Sequence, residues 1–453
     1  VDEHVHDQHA SIIARIALRR PRWEHGRLSP FHLPEFVMPA SHQTRELLAD
    51  APFLVLLGAR TISMLGMAFA PVALAFGILG LPGADAGTLS VVLAAQTIPL
   101  VVFMLVGGVI ADRFPRALVL GWGQLIAAAA WSGIGVMLLT GFTPLWLLCV
   151  AAAFAGMSGA TVYPALSGII PDLVPAHLLQ KGNAWLSMGA SAARFIGLVA
   201  SGAVVVWLGG GWAMVVAGAL YLVASGLSSF LPRGGTLAQP EDSPLAQLRE
   251  GWGEFRSRQW LFVCVLQWAV MLMVLQASQG VLGPVVAKAE LGGASGWTIV
   301  LAGEALGAIL GVAIALAWHP RRPILVATLL TFTAAAPQLL LGVSAPLWVV
   351  VAAAFCMGIG FDLFGVLWMT TMQREVPPES LSRVASYDAL GSLMLGPIGL
   401  LLAGPAATIF GPHLALIGTG VISLVTTVFA LAFPEVRQLR ARVVVRSEVA
   451  EAV

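Results

Sequence analysis

The chain has 453 residues, of which 58% are hydrophobic and only 10% charged, with a formal net charge of +1 and a mean hydropathy of +0.88. A soluble domain carries about 25% charged residues, so this composition excludes an ordinary water-soluble fold and requires lipid as solvent. The near-even balance of charge argues against a nucleic-acid partner.

Residues 1–51 form a polar tail with His4, His6 and His9, followed by Arg15, Arg19, Arg20, Arg22 and Arg27. Three histidines at such spacing admit a metal site, but a tail without fixed structure is the favoured reading. Ser11 to Arg20 has the pattern of a short basic amphipathic helix for an anionic lipid surface. The first apolar run begins near Pro52 and is too long for a cleavable signal peptide.

From Pro52 onward there are twelve apolar runs, at about 52–79, 88–110, 118–139, 145–169, 184–207, 211–231, 260–284, 297–318, 323–342, 346–371, 386–409 and 414–433. Crossing a hydrocarbon core of about 30 Å takes about 20 helical residues, and each run is long enough. Alternating patterning is absent, and a lone strand would leave its backbone unpaired in lipid, so all twelve are predicted to be helices. Cys149, Cys264 and Cys356 fall in separate apolar segments, with no His at ligand spacing. They read as small buried hydrophobes rather than a disulfide framework or a metal site.

The tail arginines, Arg45, Arg113, Arg116, Lys181, Arg233, Arg249, Arg256, Arg258, Arg321, Arg322, Arg374, Arg383 and Arg437 to Arg446 all lie in one alternate set of connections, whereas the other set holds only Lys288. The positive-inside rule puts the first set, and with it both termini, in the cytoplasm. The longest connection, 232–259, opens on Pro232-Arg233-Gly234-Gly235, and its Leu245, Leu248, Trp252 and Phe255 recur at helical spacing. That pattern predicts a surface helix against the cytoplasmic mouth. It separates six spans at 52–231 from six at 260–433, with a basic tail at 434–453.

The two sets of six are related. Val174, Pro175, Leu179, Ile196, Gly197, Leu198 and Gly202 meet Val376, Pro377, Leu381, Ile398, Gly399, Leu400 and Gly404 at a constant offset of 202 without a gap. Parallel six-span repeats imply a pseudo-two-fold axis along the membrane normal and a cavity between the halves near the midplane. The expected fold is therefore an all-α membrane protein with twelve transmembrane helices in two pseudo-symmetric six-helix bundles.

Ionisable groups at depth cost about 2.5–3.5 kcal/mol even on the lenient insertion scale, so each needs a partner or water. Arg60 and Arg194 lie deep in the first and fifth spans, Glu304 in the eighth and Asp362 in the tenth. A carboxylate in a low-dielectric site more readily holds a proton, which makes Glu304 and Asp362 candidate coupling groups. Fixed structural pairing with Arg60 or Arg194 is the alternative, favoured for Glu304 because it lies nearer the outer face. Asp388, at the cytoplasmic end of span eleven, is expected to be interfacial. Gln96, Gln124, Tyr163, Gln267, Gln276 and Gln279 are neutral polar groups within spans, and Gln96, Tyr163, Gln267, Gln276 and Trp368 are the candidates to line a solute cavity. Packing is the more frequent use of such residues. No nucleophile–base set or phosphate-cradling Gly loop is present in the sequence, nor any metal-spaced His/Cys cluster outside the N-terminal tail, so no enzymatic activity, metal or cofactor is expected.

Between the second and third spans lies Gly107-Gly108-Val109-Ile110-Ala111-Asp112-Arg113-Phe114-Pro115-Arg116. The stretch resembles the loop between helices 2 and 3 of the major facilitator superfamily, G-x-L-A-D-R-x-G-R-K, matching at Gly108, Ala111, Asp112, Arg113 and Arg116. Pro115 stands in place of the usual Gly, and Ala117 in place of a second basic residue. A compact charged turn between two spans suits a conformational latch at Gly108, Asp112, Arg113 and Arg116; if the hairpin tip faces the start of span eleven near Ser382 to Ser386, the Asp112 charge would meet that helix's positive dipole end. Ala59-Arg60-Thr61-Ile62-Ser63, Val174-Pro175 with Asn183-Ala184, Arg194-Phe195-Ile196-Gly197 and Val376-Pro377 with Arg383 are similar to the enterobactin-exporter and drug-efflux branch. That branch implies proton-driven export of drugs, siderophores or other amphipathic natural products by a monomer of the bacterial inner membrane. Antiporter relatives carry Gly-Pro in span five, where this chain has Gly197-Leu198, while Gly396-Pro397 occurs in span eleven. An importer or facilitator of a small metabolite is the first alternative, and a non-transporting membrane sensor the second.

Overall fold

The structure is a computed structural model that describes residues 47–175, 178–232, 252–253, 255–318 and 320–440. The expected N-terminal tail, most of the linker helix and the end of the basic tail lie outside the described residues. So do the side chains of Asp112, Arg113 and Tyr163 and the surroundings of Gly108, although their backbones are helical.

Among the described residues, twelve helices are long and apolar enough to cross a membrane. They are α1 (Ala51–Leu79), α2 (Ala86–Arg113), α3 (Arg116–Thr140), α4 (Leu145–Leu173), α5 (Leu179–Leu208), α6 (Gly210–Ser228), α7 (Gln259–Glu290), α8 (Ala294–Ala317), α9 (Pro323–Gly342), α10 (Leu347–Glu375), α11 (Pro378–Leu393, resuming as Gly396–Phe410) and α12 (Pro412–Ala432). A short α13 (Pro434–Gln438) follows.

Local chemistry sets the ends. Asp50 caps α1 by accepting the Phe53 N–H at 3.2 Å, and Asp85 does the same for α2 through the Thr88 N–H at 2.8 Å. The bends between α5 and α6 and between α11 and α12 are single glycines, Gly209 (φ +89°) and Gly411 (φ +80°), a left-handed conformation that a Cβ resists. The two positions are 202 apart, the offset of the sequence repeat.

The halves follow one pairing plan. In the first, α1 packs on α5 and α6, α2 on α4, and α3 on α4 and α6; in the second, α7 packs on α11 and α12, α8 on α10, and α9 on α10 and α12. Adding six to each helix number converts one set into the other.

The seam between halves is made by α2 with α11 and by α5 with α8, joined by the last turns of α7 against α1 and α2. All of it lies away from the basic connections. Ser90 Oγ donates to the Leu400 carbonyl and accepts the Gly404 N–H at 2.8 Å, while Lys288 Nζ donates to the Leu79 carbonyl at the end of α1. Gly202 and Gly404, repeat-equivalent, are the crossing points: a Cβ would fall 2.7 Å from Thr298 Cβ at the first and 2.7 Å from Gly87 Cα at the second.

Packing follows the same division. At the end away from the arginines, one hydrophobic core runs through both halves, including Leu74, Leu89, Val281, Trp297 and Leu400. Toward the basic end the core splits into one cluster around Phe53, Leu120 and Ile169 and another around Leu261, Ile324 and Leu367. The molecule is thus joined at one end and divided at the other. The linker's described end docks on the second half, with Phe255 buried and Trp252 ringed by Phe255 at 5.8 Å and Tyr387 at 5.5 Å.

Candidate functional site

Three charges share one level of the membrane. Arg194 lies halfway along α5, Asp362 halfway along α10, and Glu304 close to the middle of α8. α8 begins three residues earlier than the sequence suggests, at Ala294, and that shift brings Glu304 inward from the outer face.

The approach of α8 to α10 is built by a small-residue stripe. Gly303, Gly307 and Gly311, one turn apart, set α8 against Val351, Phe355 and Ile359, with a Cβ at Gly303 falling 2.9 Å from Val351 Cγ1. Gly358 of α10 returns the contact on the Glu304 carbonyl. Asp362 lies four residues beyond Gly358, on the same helix face. The seam of α5 with α8 then brings Arg194 of the first half into electrostatic range of both Glu304 and Asp362 of the second. Arg194 is exposed and the two carboxylates are partly buried.

Glu304 is oriented from the other side by Gln279, whose Nε2 donates to its Oε2 at 2.9 Å. Gln279 sits in a π-helical turn, Gln276–Leu282, within α7. Single π turns inside α-helices recur at functional sites because they redirect side chains. Glu304 and Gln279 also line a cavity of about 20 Å³ with Ser278 and Gln338, room for about one water. Gln338 is 2% exposed; its Oε1 accepts from Ser423 at 3.2 Å, while its Nε2 has no hydrogen-bond partner among the described residues.

The remaining sequence-derived candidates scatter. Arg60 is half-buried on α1, nearer the basic end than Arg194. Gln96 is half-buried on α2, with its carbonyl against Gly156 of α4. Gln276, at the start of the π turn, packs against Gly396 where α11 restarts. Gln267 is bonded inside the second half, its Nε2 donating to Thr331 at 2.9 Å and to Thr427 at 3.4 Å. Trp368 is 8% exposed, stacked on Phe364 and edge-on to Trp260 at 5.5 Å. Its indole N–H donates to Asp388 Oδ2 at 3.2 Å; Asp388, half-buried, is the second residue of the apolar span Tyr387–Phe410. Arg116 opens α3 half-buried, directly after the Phe114-Pro115 turn that ends α2. Ser90, Lys288 and Gln338 were not singled out as site residues. Lys288 carried a signal, as the lone basic residue in its set of connections.

Two duplicated bundles that close over mid-membrane charges define a secondary transporter rather than an enzyme. The sequence profile described as Major Facilitator Superfamily matches residues 54–387, and the chain belongs to that family. It is 26% identical over 302 residues to the uncharacterized MFS-type transporter YvqJ of Bacillus subtilis, covering 65% of this chain and 71% of that one. It is 22% identical over 398 residues to Macrolide efflux protein A of Streptococcus pyogenes, covering 85% and 97%. Among solved structures, it resembles the nucleoside transporter NupG with a TM-score of 0.64 at 13% identity, over 84% of this chain and 98% of that one. A POT family transporter in complex with 5-aminolevulinic acid gives 0.67 at 14% identity, over 85% and 96%.

Proposed function

We propose that the chain is a proton-coupled exporter of the bacterial inner membrane, moving an amphipathic small molecule such as a macrolide-like drug or a siderophore by alternating access. The observation that carries this reading is the division of the mid-membrane charges, Arg194 on one half and Glu304 and Asp362 on the other. Protonating either carboxylate removes an attraction that spans the two halves, so proton binding biases which end is closed. With the basic end in the cytoplasm, the present form is closed to the outside. Arg60 adds a second cation on the first half. Gln96, Tyr163 and Gln276 contribute to the solute path, with Gln267 and Trp368 as its backing. Asp112, Arg113 and Arg116, with Gly108 allowing close approach, latch the cytoplasmic end in the opposite form.

Export is supported by the alignment with Macrolide efflux protein A over most of both chains. The test is accumulation of erythromycin in cells with and without the protein. Lower accumulation that a protonophore restores is the expected result. Higher accumulation would assign an importer, and a difference insensitive to the protonophore would assign a facilitator or another coupling ion. For the latch, Asp112→Asn should raise labelling of cysteines at the cytoplasmic end of α5 and α11. Unchanged labelling would remove Asp112 from that role.

A further inference from the structure

At the basic end, on the flank of the second half, three arginines meet. Arg322 closes the turn before α9, Arg437 and Arg440 follow α12, and with Gln438 they line an open pocket of about 440 Å³. The backbone holds them there. Val436 of α13 is fully buried in the second half's core, and the Glu435 carboxylate accepts the Trp260 N–H at 3.0 Å in the first turn of α7. The one carboxylate of α13 is therefore committed away from the arginines. Arg437 donates to the Ala432 carbonyl at 3.3 Å, and among the described residues the guanidinium groups of Arg322 and Arg440 have no ion pair or hydrogen bond.

The setting indicates what fills the pocket. α9 and α12 pack on each other and take no part in the seam between halves, so the pocket lies on the perimeter. Below it α12 exposes Val421, Val425, Val428 and Phe429, each about half accessible, as an apolar wall running into the membrane. The geometry points to a binding site for an anionic phospholipid, its phosphate held by Arg322, Arg437 and Arg440 and its acyl chains lying along Val425 and Phe429. Guanidinium forks pair with phosphate oxygens through two parallel hydrogen bonds, and basic pockets at headgroup level select anionic lipids. Free phosphate would satisfy the arginines alone; a lipid also covers the wall.

The test is native mass spectrometry of the full chain, purified in neutral detergent and titrated with phosphatidylglycerol, phosphatidylcholine or inorganic phosphate. One phosphatidylglycerol should be retained in preference to phosphatidylcholine. Its affinity should fall by about tenfold or more when Arg322→Gln, Arg437→Gln and Arg440→Gln are combined. Arg440→Gln alone, at an exposed position, should give a partial loss and guards against a folding defect in the triple variant. Arg374→Gln, exposed at the same end on α10, should leave binding intact. Displacement of the lipid by millimolar inorganic phosphate would overturn the lipid assignment in favour of free phosphate. Binding unchanged in both the triple and the single variant would overturn the site itself.

Discussion

In the first half α1, α3 and α5 run unbroken for 29, 25 and 30 residues. Their counterparts in the second half are each interrupted: α7 by the π turn Gln276–Leu282, α9 by a 3-10 turn at Thr331–Ala334, and α11 by a break at Met394 and Leu395. Charge divides along the same line, with the deep arginines in the first half and the deep carboxylates in the second. The buried polar pairs differ too. The first half has Gln124 with Ser228 at 2.8 Å, whereas the second has both Gln338 with Ser423 and the Gln267–Thr331–Thr427 cluster. Interrupted helices are where α-helical hydrogen bonding is already locally given up. One pairing plan has therefore yielded a regular cationic body and an adaptable acidic one, and the second is where movement should begin.

The comparison can be broken most directly at its charges. Arg194→Met removes the first-half cation within electrostatic range of Glu304 and Asp362, and proteoliposome transport should fall by about a hundredfold, roughly 2.7 kcal/mol. Arg194→Lys should recover part of the loss, and a near-normal rate in the Met variant would show that the division of charge is incidental. Next comes the seam. Gly404→Val places a side chain against Gly87, an overpacking cost of about 1–3 kcal/mol that falls only on the form closed at that end. Labelling of a cysteine at Thr298, buried in the present form, should rise accordingly. Gln279→Leu removes the hydrogen bond to Glu304, worth about 1.5–3 kcal/mol for a charged acceptor. It should slow proton-driven transport by about tenfold, while Gln124→Leu in the first half should not. The smallest effect belongs to Asp85. Hydrogen bonds from the Thr88 N–H and hydroxyl hold its carboxyl below the ordinary range. Its capping contribution is therefore complete above about pH 4 and is lost as pH falls through the lowered value. Asp85→Ala should cost about 1 kcal/mol in a thermal-unfolding series at neutral pH and nothing in strong acid.

Much of the frame was legible. Span nine, expected at 323–342, is α9 at those same residues, because apolar length and flanking prolines act locally. The misjudged ends have local causes as well. Span seven continues past 284 to Glu290, since Pro284 sits in the first turn after the π segment, where its missing N–H is not needed. Span eleven, expected at 386–409, crosses at Tyr387–Phe410; the apolar run does not carry the helix's earlier start at Pro378 or its break before Gly396-Pro397, where Pro397 cannot donate to the preceding turn. Asp388 lies at the end of its span, as expected, because depth can be counted. Its bonds to Trp368 and Ser392 depend on the direction it faces, which a count of residues does not carry.

By itself the sequence determined that this chain lives in lipid, crosses it twelve times as helices and repeats itself after six, because length, polarity and an offset of 202 are properties read along one dimension. Tertiary structure alone decided which end is sealed, why Gly202 and Gly404 had to be small, and that Arg194 comes within electrostatic range of Glu304 and Asp362. Those outcomes depend on how helices are rotated and paired. In lipid, that choice is made by close packing and polar contacts between helices rather than by hydrophobicity, which every span shares equally.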